Sequence, residues 1–313
     1  MIHKMNASKA GRRPHFKRYW QLYLMLLFPL LHFLLFKYGP MFGAVLAFRR
    51  FAPGGSPFGV EWRGLYYFRM FMGNPMFWRA FRNTFILSAI NIVVNFPIPI
   101  IFAILINEIR NRKFKKAVQT ISYMPRFIST VVVVSILMQL LMPNSGIVNV
   151  WLKEMFGLPP IDFMNNPDYF RWIYVLTDTW QFTGWTAIIY IAAITGINME
   201  LYEAARIDGA SRRQLIANVT IPCILPTIMV MLILNIGRIL SLGFEKIMLM
   251  YRPATYVTGD IIDTFVFRMA MGQSATQNYS LATAAGLFGA VISLIFVTGA
   301  NTASRKLTGE SIY

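Results

Sequence analysis

Two sets of polar side chains recur at helical spacing inside otherwise apolar sequence, and their chemistry suits holding a solute rather than breaking one. Asp178, Gln181 and Trp185 stand at i, i+3 and i+7. That spacing puts a carboxylate, an amide and an indole on one helix face. Sugars are held by hydrogen-bonding groups beside aromatic faces, so this face is a candidate solute contact. Its plainer reading is a polar contact between helices. Asn235, Arg238 and Glu245 stand at i, i+3 and i+10, near one face of a second segment. A cation such as Arg238 is costly in an apolar run unless it is paired or faces a cavity. It reads as half of a structural ion pair or as a contact for an anionic solute. Asn91, with Asn95, is a weaker candidate of the same kind.

Bond-making chemistry finds few tools. Cys223 is the only cysteine, so no internal disulfide and no thiolate metal site is expected. His3 and His15 lie in a basic tail and His32 in an apolar run, which is not a metal cluster. The acids are scattered, whereas a membrane glycosyltransferase needs carboxylates or histidines gathered at a membrane face. No phosphate loop of the form G-x-x-x-x-G-K followed by Ser or Thr occurs. The chain therefore reads as non-catalytic, with no metal site. Its net charge of +17 admits nucleic-acid binding as one reading. The charge is dispersed through a membrane protein, where orientation rules and anionic lipid account for it, and no nucleic-acid partner is expected.

The elements that position these groups follow from composition. Hydrophobic residues make up 56% of the 313 and charged residues 14%, against about 25% charged in soluble domains. Such an apolar excess requires lipid as solvent. Windows of ~19 residues mark six apolar stretches: Tyr19 to Tyr38, Asn83 to Ile106, Val118 to Met142, Trp172 to Ile194, Ile224 to Leu242 and Leu281 to Ala303. The first is too long for a signal-peptide core and no small-residue cleavage site follows it, so it reads as a retained span. Pro29, Pro97, Pro99, Pro125 and Pro226 fall inside these stretches and predict bends.

Six spans put both termini on one side. Lys4, Lys9, Arg12, Arg13, Lys17 and Arg18 precede the first span, with no acid among them. Arg110, Arg112, Lys113, Lys115 and Lys116 follow the second. The positive-inside rule puts both termini in the cytoplasm, although Arg49, Arg50, Arg63, Arg69, Arg79 and Arg82 would then lie outside. The expected division is a basic cytoplasmic tail over 1–18, one membrane domain over 19–304 and a second cytoplasmic tail over 305–313. An external aromatic stretch includes Trp62, Tyr66, Tyr67, Phe68, Phe71, Phe77 and Trp78. It suits the membrane interface, or a surface that docks a partner.

The most informative stretch is the loop over about 197–225. Met199 to Ile207 favours helix, and Asp208-Gly209 is a turn in which Gly209 can take positive φ. Ser211 and Gln214 have capping-box spacing. Pro222 and Pro226 break or bend the chain as it re-enters the membrane. The product is a helix–turn–helix elbow with an apolar side of Leu201, Ala204 and Ala205. Such an elbow is poor structure alone and makes sense as a knob for another protein's groove. Glu203 would pair with a basic residue there or within its own helix.

Glu203-Ala204-Ala205, Asp208-Gly209-Ala210 and Val219-x-Ile221-Pro222 resemble the EAA signature of ABC importer permeases. Val219 and Ile221 stand where that family often has isoleucine and leucine. The likeness covers nearly the whole chain through Tyr38-Gly39-Pro40, Arg82-Asn83-Thr84, Leu105-Ile106-Asn107-Glu108, Ser122-Tyr123-Met124-Pro125 and Tyr279-Ser280-Leu281-Ala282. It points to the carbohydrate (MalF/MalG-like) type, particularly the LplB-type polysaccharide and alginate permease branch. The resemblance implies an all-α integral membrane chain with the type I importer permease fold, set in a bacterial cytoplasmic membrane. The elbow would be its coupling helix, with Glu203, Ala204, Ala205, Asp208, Gly209, Ala210 and Pro222 as the ATPase-coupling residues. It also implies ATP-binding cassette ATPase subunits that hold ATP and Mg, a different second permease and an extracytoplasmic solute-binding protein. The cargo would be an oligosaccharide or polysaccharide fragment, with acidic ones suited by the external arginines. A permease for a non-sugar solute and a secondary transporter are the alternatives. The latter would normally show an internal repeat and intramembrane carboxylates, of which Asp178 is the one candidate.

Overall fold

Asparagine or serine caps several of the longer helices. In this computed structural model, residues 15–240, 242–272 and 277–308 are described. His3, Lys4, Lys9, Arg12, Arg13 and residues 309–313 of the two expected tails lie outside them. The chain opens with α1 (His15–Phe33), a π turn (Leu34–Tyr38), a short α2 (Gly39–Met41) and a 3-10 stretch (Phe42–Ala47). From Tyr19 to Phe33, α1 is exposed on all sides, as an apolar helix in lipid or against another chain would be. A two-residue ribbon follows, β1 (Arg49–Arg50) antiparallel to β2 (Glu61–Trp62), then α3 (Tyr66–Met72).

Asn74 accepts from the Met76 N–H and Pro75 fills the first turn, so α4 (Pro75–Asn95) starts there. With α5 (Pro97–Glu108) it makes a run of 34 residues. Phe96 keeps helical dihedrals at the join and its N–H reaches Ile92 O. Pro97 and Pro99 thus interrupt the ladder without ending the run. Asn111 caps α6 (Arg112–Tyr123), and Ser129 caps α7 (Thr130–Leu140) after a 3-10 turn over Met124–Phe127. After α8 (Ile147–Phe156), Asn166 and Pro167 repeat the Asn-Pro start for α9 (Pro167–Thr195). Asn198 caps α10 (Met199–Ile207). Then come α11 (Arg212–Leu215), a π turn (Ile216–Thr220), α12 (Ile221–Gly237), α13 (Phe244–Met250), α14 (Tyr256–Gly259), α15 (Ile262–Met271) and α16 (Tyr279–Thr308).

At 29 residues, α9 is about 43 Å long. It is the central post, packing against α4, α5, α6, α12 and α14. Tyr174 and Val175 sit in one buried cluster with Leu87, Ile247 and Met250, and Ala187 and Tyr190 sit in another with Ala103 and Ile224. Four helical runs are long and apolar enough to cross a membrane: Tyr19–Ala47, Pro75–Glu108, Arg212–Gly237 and Tyr279–Lys306. Two bent pairs bring the number to six. Six apolar segments are therefore present; two expectations about them need correction, and for Pro222 and Pro226 one of the two outcomes left open is removed.

The third span is not one helix, since α6 and α7 meet at 99°. Pro125 lies in the turn and lacks a donor, while Ser129 supplies a fresh N-cap that restarts the helix in a new direction. Pro222 and Pro226 do not break the chain, because Arg212–Gly237 is one run. Its π turn is closed by Ile221 N–H to Ile216 O. That turn loosens the ladder at the residue before Pro222, where the ring and the missing donor fall. Last, Asn235, Arg238 and Glu245 do not share a helix. The helix ends at Gly237, whose added Cβ would meet Val297 Cγ2 at 2.6 Å, and Glu245 belongs to α13. Arg305 and Lys306 lie in the last turn of α16, where cations suit the helix dipole.

Candidate functional site

The elbow is built by local bonds. Asn198 Oδ1 accepts from the Glu200 N–H at 3.0 Å and starts α10. At its end, Gly209 N–H reaches Arg206 O at 3.0 Å and Ala210 N–H reaches Ala205 O at 2.9 Å, which satisfies the last carbonyls. Gly209 has φ of +78°, and nothing lies within 4 Å of where its Cβ would stand. Its role inside this chain is therefore conformational rather than steric. Gln214 Oε1 accepts from the Ser211 N–H at 2.8 Å and from Ser211 Oγ at 2.7 Å. Tyr202 Oη and Thr220 Oγ1, 2.9 Å apart, brace the elbow against the π turn.

The elbow presents two faces. Glu203, Ala204, Asp208 and Gly209 are exposed, and Ala205 and Ala210 are half-buried. Ile207 is 87% exposed. Met199 and Leu201 of the same helix are also exposed, so α10 offers several apolar side chains to a neighbour, and Ile207 was not singled out in the sequence because it looked like ordinary helix filling. Glu203 makes no ion pair among the described residues, so its charge is available to a neighbour. Pro222 is exposed at the start of α12. The opposite face, with Tyr202 and Arg206, lines a cavity of about 730 Å³ shared with Glu108 and Arg110 of the α5 end. Arg212 reaches Glu108 across this space at 3.8 Å.

The second set of residues converges along α9. A cavity of about 350 Å³ is lined by Asn91 from α4, Asp178 and Gln181 from α9, and Asn235, Arg238 and Glu245 from the broken α12–α13 segment. Asn91, Asp178, Asn235 and Arg238 also line an adjoining cavity of about 260 Å³ that reaches Tyr190. The structure thus joins five of the six predicted path residues. Trp185 lines neither cavity. Its ring packs edge-on against Phe127 at 5.7 Å.

The cavity wall contains a buried ion pair. Lys246 Nζ donates to Asp178 Oδ1 at 2.5 Å, with side-chain exposures of 5% and 13%. The ammonium also lies 4.9 Å from the Tyr174 ring centre. Tyr174 Oη accepts from the Gly243 N–H at 3.2 Å. Lys246 and Tyr174 were not legible as site residues, because they meet Asp178 only once α13 folds against α9. Gln181 Nε2 donates to Ile128 O at 3.2 Å, tying α9 to the α6–α7 bend. Asn95 Nδ2 donates to Asn91 Oδ1 at 2.5 Å, and Asn95 Oδ1 accepts from Thr179. Arg238 makes no ion pair among the described residues. This wall can offer hydrogen bonds and one unneutralised guanidinium to a polar solute. Among the described residues no group of histidines, cysteines and acids is placed to hold a metal ion.

A family profile, binding-protein-dependent transport system inner membrane component, matches residues 96–308. Protein LplB of Bacillus subtilis (strain 168) is 40% identical over 297 residues, covering 95% of this chain and 92% of that one. The polygalacturonan/rhamnogalacturonan transport system permease protein YteP of the same organism is 42% identical over 292 residues, covering 93% and 90%. The fold is similar to a crystal structure of a bacterial ABC transporter involved in the import of the acidic polysaccharide alginate. The TM-score is 0.85 at 43% identity, covering 94% of this chain and 98% of that one.

Proposed function

This chain belongs to the binding-protein-dependent transport system inner membrane component family, and from that premise we propose that it is a permease subunit of an ATP-driven importer for oligosaccharides or polysaccharide fragments. The observation that carries this reading is the pairing of a preformed elbow with a polar cavity, joined by one helix. α9 lines the cavity at Asp178 and runs directly to the elbow. A push on the elbow therefore acts on the cavity wall with no loose linker between them.

In this reading ATP and Mg belong to separate ATP-binding cassette ATPase subunits, and this chain is not itself catalytic. Glu203, Ala204, Ala205, Asp208, Gly209 and Ala210 dock the elbow on the ATPase, with Ile207 at its tip. Pro222 shapes its return to the membrane. Closure of the ATPase pair moves the elbow, and the helix bundle rocks between inward- and outward-facing states. A second permease completes the pathway, and an extracytoplasmic solute-binding protein delivers cargo to the face opposite the elbow. Both termini lie in the cytoplasm. The relatives that carry polygalacturonan, rhamnogalacturonan and alginate support an acidic oligosaccharide as cargo. Asp178, Gln181, Asn235, Arg238 and Asn91 form the path wall. Trp185 serves as its aromatic neighbour beside Phe127.

The test is co-expression of this chain with its neighbouring permease and ATPase, purified by a tag on this chain. Wild type is expected to retain the ATPase. Gly209→Pro is expected to lose it while keeping a folded membrane domain, because proline fixes φ near −65° where the turn needs +78°. An ATPase that stays equally bound to the variant, or never co-purifies with wild type, overturns the docking role.

A further inference from the structure

The end of the bundle opposite the elbow carries a cluster of arginines that the proposed pathway does not use. Arg79 and Arg82 rise from the first turns of α4, Arg171 from α9 and Arg268 from α15. One buried acid serves two of them. Asp260 is fully buried and takes both Arg268 guanidinium nitrogens at 2.8 Å. Arg79 Nη2 lies 3.5 Å from the same carboxylate. Arg171 and Arg82 have no such partner, since neither makes an ion pair among the described residues.

Arg171 is held in place. Asn83 is fully buried and its Nδ2 donates to Val257 O at 2.9 Å, which aims Oδ1 at Arg171 Nη2, 3.0 Å away. Thr84 Oγ1 accepts from the Ile262 N–H at 2.9 Å. The Arg82-Asn83-Thr84 sequence thus has two residues that fasten α4 to the α14–α15 segment, and one residue, Arg82, that is exposed. A guanidinium has five N–H donors, and Arg171 satisfies one of them on a neutral amide. Its Nε is buried with no acceptor among the described residues. Arg82 immediately precedes Asn83, the residue that holds Arg171, so two like charges gather at this end of α4. Two close like charges without a carboxylate between them are unfavourable alone and become favourable when an anion arrives. Arg171 also lies seven residues before Asp178 on the same face of α9, two turns above the cavity wall.

We infer that Arg171 and Arg82 form an anion-reading pair at the entrance to the path, taking the carboxylates of an acidic oligosaccharide before it reaches the cavity. The inference rests on the importer reading above and adds a site to it. Asn83 positions the pair, and with Lys246 already paired to Asp178 deeper in, the entrance arginines meet the cargo's charge before Arg238 of the cavity wall does.

The experiment is uptake by the complete transporter with its binding protein in proteoliposomes, using trigalacturonate and its fully methyl-esterified, neutral form. The Arg171→Gln/Arg82→Gln variant is expected to take up the acidic cargo about tenfold more slowly at low concentration. Neutral uptake should fall less than about twofold. The lysine pair, Arg171→Lys/Arg82→Lys, should keep much of the acidic uptake, and added salt should slow wild type more than the glutamine variant. Arg82→Glu, at an exposed position, repeats the test without disturbing the Asn83 bond. Equal loss for both cargoes, or no loss for either, overturns the pair. A wild type that carries only the neutral cargo overturns this inference and leaves an oligosaccharide importer standing. One that carries neither overturns the importer reading itself.

Discussion

The elbow and the cavity are made by opposite strategies. The bonds that close the elbow's turns join residues at most five apart, as in Asn198 to Glu200, Gly209 to Arg206 and Ala210 to Ala205, and the Tyr202–Thr220 brace spans only 18. The cavity's defining contact joins Asp178 to Lys246, 68 residues apart. One region is exposed and locally determined, so it keeps its shape while the surface it meets changes. The other exists only when α4, α9, α12 and α13 are assembled. The difference teaches where sensitivity lies, because local caps are worth about a kilocalorie each and a buried charge stripped of its partner costs several.

The largest expected effect tests the cavity side of that contrast. Lys246→Met leaves the Asp178 carboxylate buried without its partner, a loss of about 3–5 kcal/mol. We predict a markedly lower melting temperature for the purified complex. Adding Asp178→Leu should recover most of the stability, within about 1 kcal/mol of wild type. A single variant as stable as wild type would put this pair in the same energetic class as the elbow's bonds and dissolve the contrast. A smaller effect is expected from Asn198→Ala, about 1 kcal/mol from one lost cap. Limited proteolysis should cut the elbow faster while the melting temperature of the membrane body stays put. If the body loosens as well, the elbow is not a separate local unit. The smallest effect concerns Arg212 and Glu108, which meet at 3.8 Å with 61% and 40% of their side chains exposed. A double-mutant cycle with alanine should give a coupling under about 0.5 kcal/mol. A larger value would mean that the elbow is anchored to α5 by charge as well as by the covalent chain.

The same contrast explains what could be read from the sequence. The elbow was legible because capping, positive φ at Gly209 and the spacing of Ser211 and Gln214 are properties of neighbouring residues. The apolar stretches were legible because lipid demands long uninterrupted runs. Five of the residues singled out for their polarity in apolar sequence line one cavity, and Glu245 lines it too, although its ten-residue helical spacing does not hold across the break after Gly237. Lys246 was missed because a lysine near a helix break looks like a surface residue until Tyr174 and Asp178 enclose it. Trp185 was placed on the cargo face by its period alone, and the α6–α7 bend then supplied Phe127 as a nearer partner. Bends of that size depend on which helix the chain packs against next, and no short window contains that information.

Gly184 lies midway along α9 where α6 crosses it, and a Cβ there would fall on the Ser122 carbonyl. Any heavier residue must push α6 aside, and the bend between α6 and α7 carries Ile128, whose carbonyl holds Gln181 in the cavity wall. The consequence belongs to genetics. A selection for altered cargo preference would return missense alleles at codon 184 alongside those in the cavity wall. They would look like contact mutations, yet they would mark a residue that the cargo never meets.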